Sequence, residues 1–188
     1  MEFRLTYRGP LKSTADVAAK QELRRHFHPQ IKFLWEQLLK SRKDGTWNPL
    51  KFATDSEVGL LEHVGPFTFA PLVSQVRGWN AITELEILFL RPTPAGALLK
   101  HGGDLDNRIK VLLDGLRRPN NEAEMPRGDQ PRDGEDPFHC LLQDDALVTG
   151  ISVFTDQLLG PVRPDYVELI VQARIRCTRR SMFNDVIC

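Results

Sequence analysis

The stretch ITELEILFLRPTPAGALLKHGGDLDNRIKVLLDGL, residues 82–116, changes its hydrophobic period halfway along, and that change frames the fold. In its first third Leu85, Ile87 and Phe89 fall on every second residue, the period of a strand with one buried face, and Pro92 and Pro94 stop it. After Gly102-Gly103, Leu105, Ile109, Leu112, Leu113 and Leu116 recur at the spacing of a helix, with Asn107, Lys110, Asp114 and Arg117 on the opposing side. Arg118-Pro119 ends that helix. Upstream, Phe3, Leu5 and Tyr7 alternate with Arg4, Thr6 and Arg8 as a first strand, and 14–41 reads as helix, with Phe27, Ile31, Leu34 and Leu38 on one face and a break or kink expected near His28-Pro29. Residues 42–66 read as loop, with a turn of helix near Ser56–Glu62; Phe67–Val73 reads as a short strand, and Arg77–Asn80 as a turn. Downstream, Leu147–Phe154 and Tyr166–Arg176 follow as strands. This order predicts an α+β (mixed α/β) single domain over 1–188, one mixed sheet of about four to five strands with helices packed on it.

Length and composition agree with one core. The chain has 188 residues, 41% hydrophobic and 27% charged, which excludes a disordered tail and a disulfide scaffold. No apolar run approaches the ~20 residues that cross a bilayer, and Met1–Tyr7 lacks a secretion-signal pattern. Cys140, Cys177 and Cys188 are odd in number and in no CxxC pattern, so reduced thiols and a cytoplasmic location are expected. Twenty-five Lys and Arg balance 25 Asp and Glu, yet the balance is uneven. Residues 120–145 hold eight acids against two bases, a net −6, and the rest of the chain carries +6. A Pro/Gly/charge-rich connection at about 119–140 is long for a compact domain and reads as an acidic insertion, mobile or functional, beside a basic body able to meet phosphates.

Reactive residue types are densest in Asp104-Leu105-Asp106-Asn107, Lys110, Asp114 and the later pair Asp144-Asp145. Gathered carboxylates suit a hard divalent cation such as Mg2+, and a lysine one turn after Asp106 can reach the same place. The plainer alternative is a helix cap, an ordinary i,i+4 ion pair from Asp106 to Lys110, and a turn at Asp144-Asp145. Lys20, Arg24, Arg25 and Lys32 in the first helical region, Arg117, and Arg174, Arg176, Arg179 and Arg180 near the end are candidate phosphate contacts, or else solvated charge. Trp35, Trp47 and Trp79 read as core packing. His26, His28, His63, His101 and His139 show no zinc spacing.

GDLDNRIKVLLDGL (103–116) followed by QDDALV (143–148) resembles the signature of the RusA family of Holliday-junction resolvases: DxDN, a lysine three residues after the asparagine, an Asp further along the helix, and DD before a strand. The match covers roughly a quarter of the chain. Members of the family it resembles are usually shorter, about 120 residues, and the helix-to-DD connection here is unusually long. The resemblance implies a homodimeric, Mg2+-dependent (Mn2+ also serving) endonuclease that cuts four-way DNA junctions with paired symmetric nicks. It implies Asp104, Asp106 and Asp145 as metal-binding carboxylates, with Asp144 adjacent and supporting, and Lys110 as the catalytic lysine. Candidate DNA contacts are Arg24, Arg25, Lys32, Arg117, Arg174 and Arg176. The alternatives are a nuclease acting on flaps or forks, and a junction-binding protein without catalysis.

Overall fold

Alternating burial along three long strands, with a fourth on the sheet's half-exposed edge, builds the larger sheet of the computed structural model, which describes residues 1–41, 48–50, 59–92, 104–160, 163 and 165–188, the Asp104 side chain excepted. In chain order the elements are β1 (Glu2–Pro10), α1 (Val17–Ser41), β2 (Glu62–Val64), β3 (Phe67–Val73), β4 (Ala81–Arg91), α2 (Asp104–Leu116), β5 (Phe138–Leu142), β6 (Val148–Gln157) and β7 (Tyr166–Cys177). Short 3-10 turns occupy Glu122–Glu124 and Asp145–Leu147. The larger sheet has the order β1-β7-β4-β6, with β7 antiparallel to both β1 and β4, and β6 parallel to β4. A parallel neighbour requires a long crossover. Here the crossover runs through α2 and β5, so it carries every candidate acidic residue.

Leu5, Leu85, Ile87, Phe89, Leu169, Val171 and Ala173 turn one face of this sheet inward and are at most 2% exposed. Phe27, Ile31 and Trp35 of α1 and Leu112 and Leu116 of α2 join the same core. Each such side chain contributes about 1.5–3 kcal/mol on burial, which is why helix and strand periodicity survive as architecture. The two helices touch closely at Gly115, where a Cβ would stand 2.5 Å from the Leu23 side chain. Trp35 and Trp79 stack at 5.5 Å inside the core, as the sequence suggests; Trp47 lies outside the described residues.

The α+β class holds, but the strands form two sheets among the described residues, not one. β3 pairs with β2 and, in parallel, with β5, giving a separate β2-β3-β5 sheet. Gly78 (φ 86°) and Asn80 (φ 47°) turn the chain between β3 and β4, and Trp79 Nε1 donates to Leu72 O at 2.7 Å, so β4 leaves for the other sheet. Phe67, Phe69, Phe138, Cys140 and Met125 then make a second small apolar cluster.

Three local expectations are corrected. α1 runs unbroken through Pro29, held by buried Phe27, His28, Ile31 and Trp35 on both sides of the missing donor, and it is capped by the preceding Asp16, whose Oδ1 accepts from Ala19 N at 2.8 Å. Glu62 opens β2 instead of closing a helical turn; 51–58 lie outside the described residues. Cys177 and Cys188 are not free thiols but form a disulfide, their Cα atoms 5.6 Å apart, a separation that a disulfide spans. Cys140 remains a thiol, pushed up to about 12 by burial. No helix among the described residues is long and apolar enough to cross a membrane.

Candidate catalytic site and nucleic-acid interface

α2 presents its polar residues in a stripe one turn apart. Asp106 and Lys110 stand on the outer face, their side chains 68% and 67% exposed, joined Nζ to Oδ2 at 2.7 Å. An exposed i,i+4 pair of this kind adds only about 0.3–0.5 kcal/mol to a helix, so it leaves both groups free to exchange partners. Asn107 is exposed beside them. Asp114, two turns on, is instead drawn inward: it accepts from Lys20 and from Arg117, each at 2.7 Å. Burial alone would raise its carboxyl; the hydrogen bonds from Lys20 and the charge of Arg117 outweigh that and hold it below the usual range.

The Asp144-Asp145 pair is tied to the same helix through its far end. Arg117 forms a parallel bridge with Leu142, and Arg118 N donates to Leu142 O at 2.9 Å. Gln143 is then clamped to the end of β3: its Oε1 accepts from Ser74 Oγ at 2.9 Å and Gln75 N at 3.0 Å, and its N–H donates to Val73 O at 2.9 Å. Asp144 follows in extended backbone, its side chain accepting from Ala146 N at 2.8 Å, and Asp145 opens the 3-10 turn, exposed to solvent. From Asp106 to Arg117 the helix rises about 16 Å, and three residues from Leu142 reach Asp145 within about 10 Å.

Asp106, Asp144 and Asp145 supply oxygen donors alone, the chemistry that suits Mg2+ or Mn2+. Among the described residues no three carboxylate, His or Cys groups are gathered to hold a metal. Asp104, the first residue of α2, completes the expected set, and its side chain lies outside the described residues, as do His101, Gly102 and Gly103.

The expected DNA contacts divide sharply. Arg24 is 1% exposed; its Nε donates to Arg117 O at 3.1 Å and its Nη1 to Gln21 Oε1 and Glu124 O, and burial beside Arg117 brings its guanidinium down to about 10. Arg25 bonds Glu135 (3.0 Å), Asp129 (2.9 Å) and Glu22 (3.1 Å) with a side chain 7% exposed. Arg117 joins Asp114 and Glu124 with a side chain 10% exposed. These three are corrected from phosphate contacts to internal anchors, because their side chains are buried and directed at partners inside the protein. Lys32 donates to Gly134 O at 2.7 Å at the rim of the same assembly. Arg174 and Arg176 stay on the open face of the larger sheet, paired with Glu2 (3.0 Å) and Glu84 (2.6 Å).

The acidic connection is therefore a strap across α1. Arg132 reaches Glu22 at 2.6 Å, His28 meets both Gly134 O (3.2 Å) and His139 N (2.8 Å), and Met125 plugs the Phe67–Phe138 cluster. Sequence reading missed Asp129, Glu135, His28, His139 and Gln143 as organising residues. The opposite net charges of the strap and the body were the available signal for the first two; hydrogen bonds made by His28 and Gln143 across more than 60 residues leave no local trace. Comparison with protein-family models, with curated proteins and with solved structures found no match for the chain.

Proposed function

We propose that this protein is a Mg2+-dependent endodeoxyribonuclease of branched DNA, resembling the RusA resolvases, and that it resolves four-way junctions as a homodimer in the cytoplasm during recombination and repair. The observation that carries the reading is that an exposed Asp106–Lys110 pair on α2 and the Asp144-Asp145 turn, its Asp145 exposed, belong to one crossover, Leu142 just before the turn being hydrogen-bonded to Arg118 just past that helix. Asp106 is open to solvent and paired with the equally exposed Lys110, and Asp145 is exposed beside Asp144, which caps the 3-10 turn. Asp114, by contrast, is spent on Lys20 and Arg117.

Asp104, Asp106 and Asp145 would hold the cation, with Asp144 keeping its cap on the 3-10 turn and orienting the chain there. A bound Mg2+ supplies charge neutralisation at a phosphate and a more acidic water. Lys110, released from Asp106, donates to a non-bridging oxygen of the scissile phosphate and stabilises the charge that builds there. Lys32, Arg174 and Arg176 are the surface cations left to meet neighbouring phosphates.

Asp104→Asn and Asp106→Asn are expected to abolish Mg2+-dependent nicking of a labelled four-way junction while leaving the thermal melt within about 1 kcal/mol of the parent. Undiminished nicking by both variants overturns the assignment. Flap and linear duplexes in the same assay, with Mg2+ or with EDTA, separate paired junction cuts from flap cutting and from binding without cleavage.

A further inference from the structure

The Cys177–Cys188 disulfide is at odds with the cytoplasmic location that the sequence suggests. Where glutathione keeps thiols reduced, the disulfides that do occur are usually transient, catalytic or redox-sensing, whereas permanent staples belong to small secreted domains. This bond closes a local ring, its partners 11 residues apart, at the rim of the core: Cys177 ends β7 and is half-buried, and Cys188 is exposed. The residues inside the ring have a defined task. Thr178 donates to Asn80 O from its N (2.9 Å) and its Oγ1 (3.2 Å), Asn184 Nδ2 donates to Trp79 O at 2.8 Å, and Ser181 Oγ donates to Gly78 O. All three carbonyls of the 78–80 turn are thus held by the tail. Gly78 and Asn80 have positive φ there, a geometry that for asparagine needs support from its surroundings.

We propose that Cys177–Cys188 is a thiol–disulfide exchange site for a low-molecular-weight monothiol, and that its redox state sets how firmly the 178–188 tail holds the 78–80 turn. Opening consumes two monothiols, RSH. The thiolate of the first attacks Cys188 Sγ, the S–S bond breaks, and its electron pair leaves on Cys177 Sγ, which takes up the proton the first thiol released. The second thiol displaces Cys188 Sγ from the mixed disulfide in the same way, giving RSSR and two protein thiols. RSSR reverses both steps and closes the ring. The reduced tail keeps the buried side chains of Asn184 and Ile187 as anchors, so it opens more often without unfolding the body. Loss of a ring of this size makes such openings roughly a hundredfold more frequent. Gln143, which leads into Asp144-Asp145, is clamped by Ser74 and Gln75 at the start of the same connection between β3 and β4, so the bond becomes a redox input to the acidic site. That consequence rests on the nuclease reading; the exchange site does not, and its test needs neither DNA nor metal, so the two ideas fail separately.

The full chain, equilibrated without denaturant in mixtures of reduced and oxidised glutathione, is expected to lose and regain the bond reversibly as the mixture changes. Alkylation of the reduced form with iodoacetamide, read by mass spectrometry, should label Cys177 and Cys188 and spare Cys140, which is 2% exposed and reports any wider unfolding. Hydrogen exchange at amides of 78–80 and 178–187 should be at least about tenfold faster in the reduced form, with the centres of β4 and β7 unchanged. Cys188→Ser, at an exposed position, should keep the parent circular dichroism spectrum and show the fast exchange in every mixture. A bond that persists in reduced glutathione alone, labelling of all three cysteines, equal exchange in the two forms, or a Cys188→Ser tail that exchanges as slowly as the oxidised parent each overturns the proposal.

Discussion

Asp106 and Asp114 lie two turns apart on one stripe of α2 and have the same chemistry, yet burial gives them different work. Asp114 sits between Lys20 and Arg117 and is held ionised for structure; Asp106 is open to solvent and can trade Lys110 for another partner. The histidines divide in the same way. His139 is 5% exposed against His28, and burial first, then the neighbouring imidazole, brings it down to about 4; His28 is lowered in the same direction by its burial. The native state therefore holds both rings neutral, while the unfolded chain takes up protons near the ordinary value of 6.5. Stability is full above that value and is lost as pH falls from about 6.5 toward about 4, by an amount on the order of 3 kcal/mol for His139. Urea denaturation across that window is expected to show the loss, and His139→Phe should flatten the pH dependence between those limits. An identical profile in the variant would assign the acid sensitivity to other groups.

At the level of elements, the strap from Asn120 to Pro137 and the helix α1 explain each other. Arg25 receives two strap carboxylates and Arg24 the strap carbonyl at Glu124, so the helix face that reads as a phosphate-binding surface is already occupied. Arg25→Met keeps the length of the stem and removes the charge, leaving Asp129 and Glu135 without their main partner. A cost of about 2–3 kcal/mol is expected from the urea midpoint, together with faster hydrogen exchange over 126–136. Unchanged exchange there would mean that Lys32, His28 and Met125 hold the strap without the ion pairs. Pro29 belongs to the same scale. A proline in a helix interior costs about 3 kcal/mol, but the buried side chains on either turn contribute more than that, and α1 continues.

For the whole molecule, the neutral total charge conceals an acidic segment and a basic remainder that neutralise each other by contact. What remains for a polyanion is a reduced set of surface cations, Lys32, Arg174 and Arg176 among them. The chain ends are also part of the core: the Met1 ammonium donates to Ile175 O and Ile187 O at 3.0 Å, and Ile187 is fully buried. Asn184 is 0% exposed and joins the tail to the body, Nδ2 donating to Trp79 O and Arg179 O and Oδ1 accepting from Ser181 N, all at 2.8 Å. Asn184→Ala strands three backbone groups and is expected to lower the urea midpoint by about 2–3 kcal/mol with an unchanged slope. A midpoint within experimental error of the parent would show that the tail is held by Ile187 and the Cys177–Cys188 bond instead. Periodicity alone was enough to read β1, β4, α2 and β7 with their buried faces, because a pattern of two or 3.6 is a local property of the chain, and β3 was legible as a short strand. The carboxylates and Lys110 were legible for the same reason, as residue types at helical spacing. Partnership was not legible: that β3 joins β5 and not β4, that five-residue β5 is a strand, and that Arg24, Arg25 and Arg117 face inward. Each depends on which distant segments bury one another, and burial decides whether a charge is an anchor or a surface, a choice that spacing along the chain does not encode.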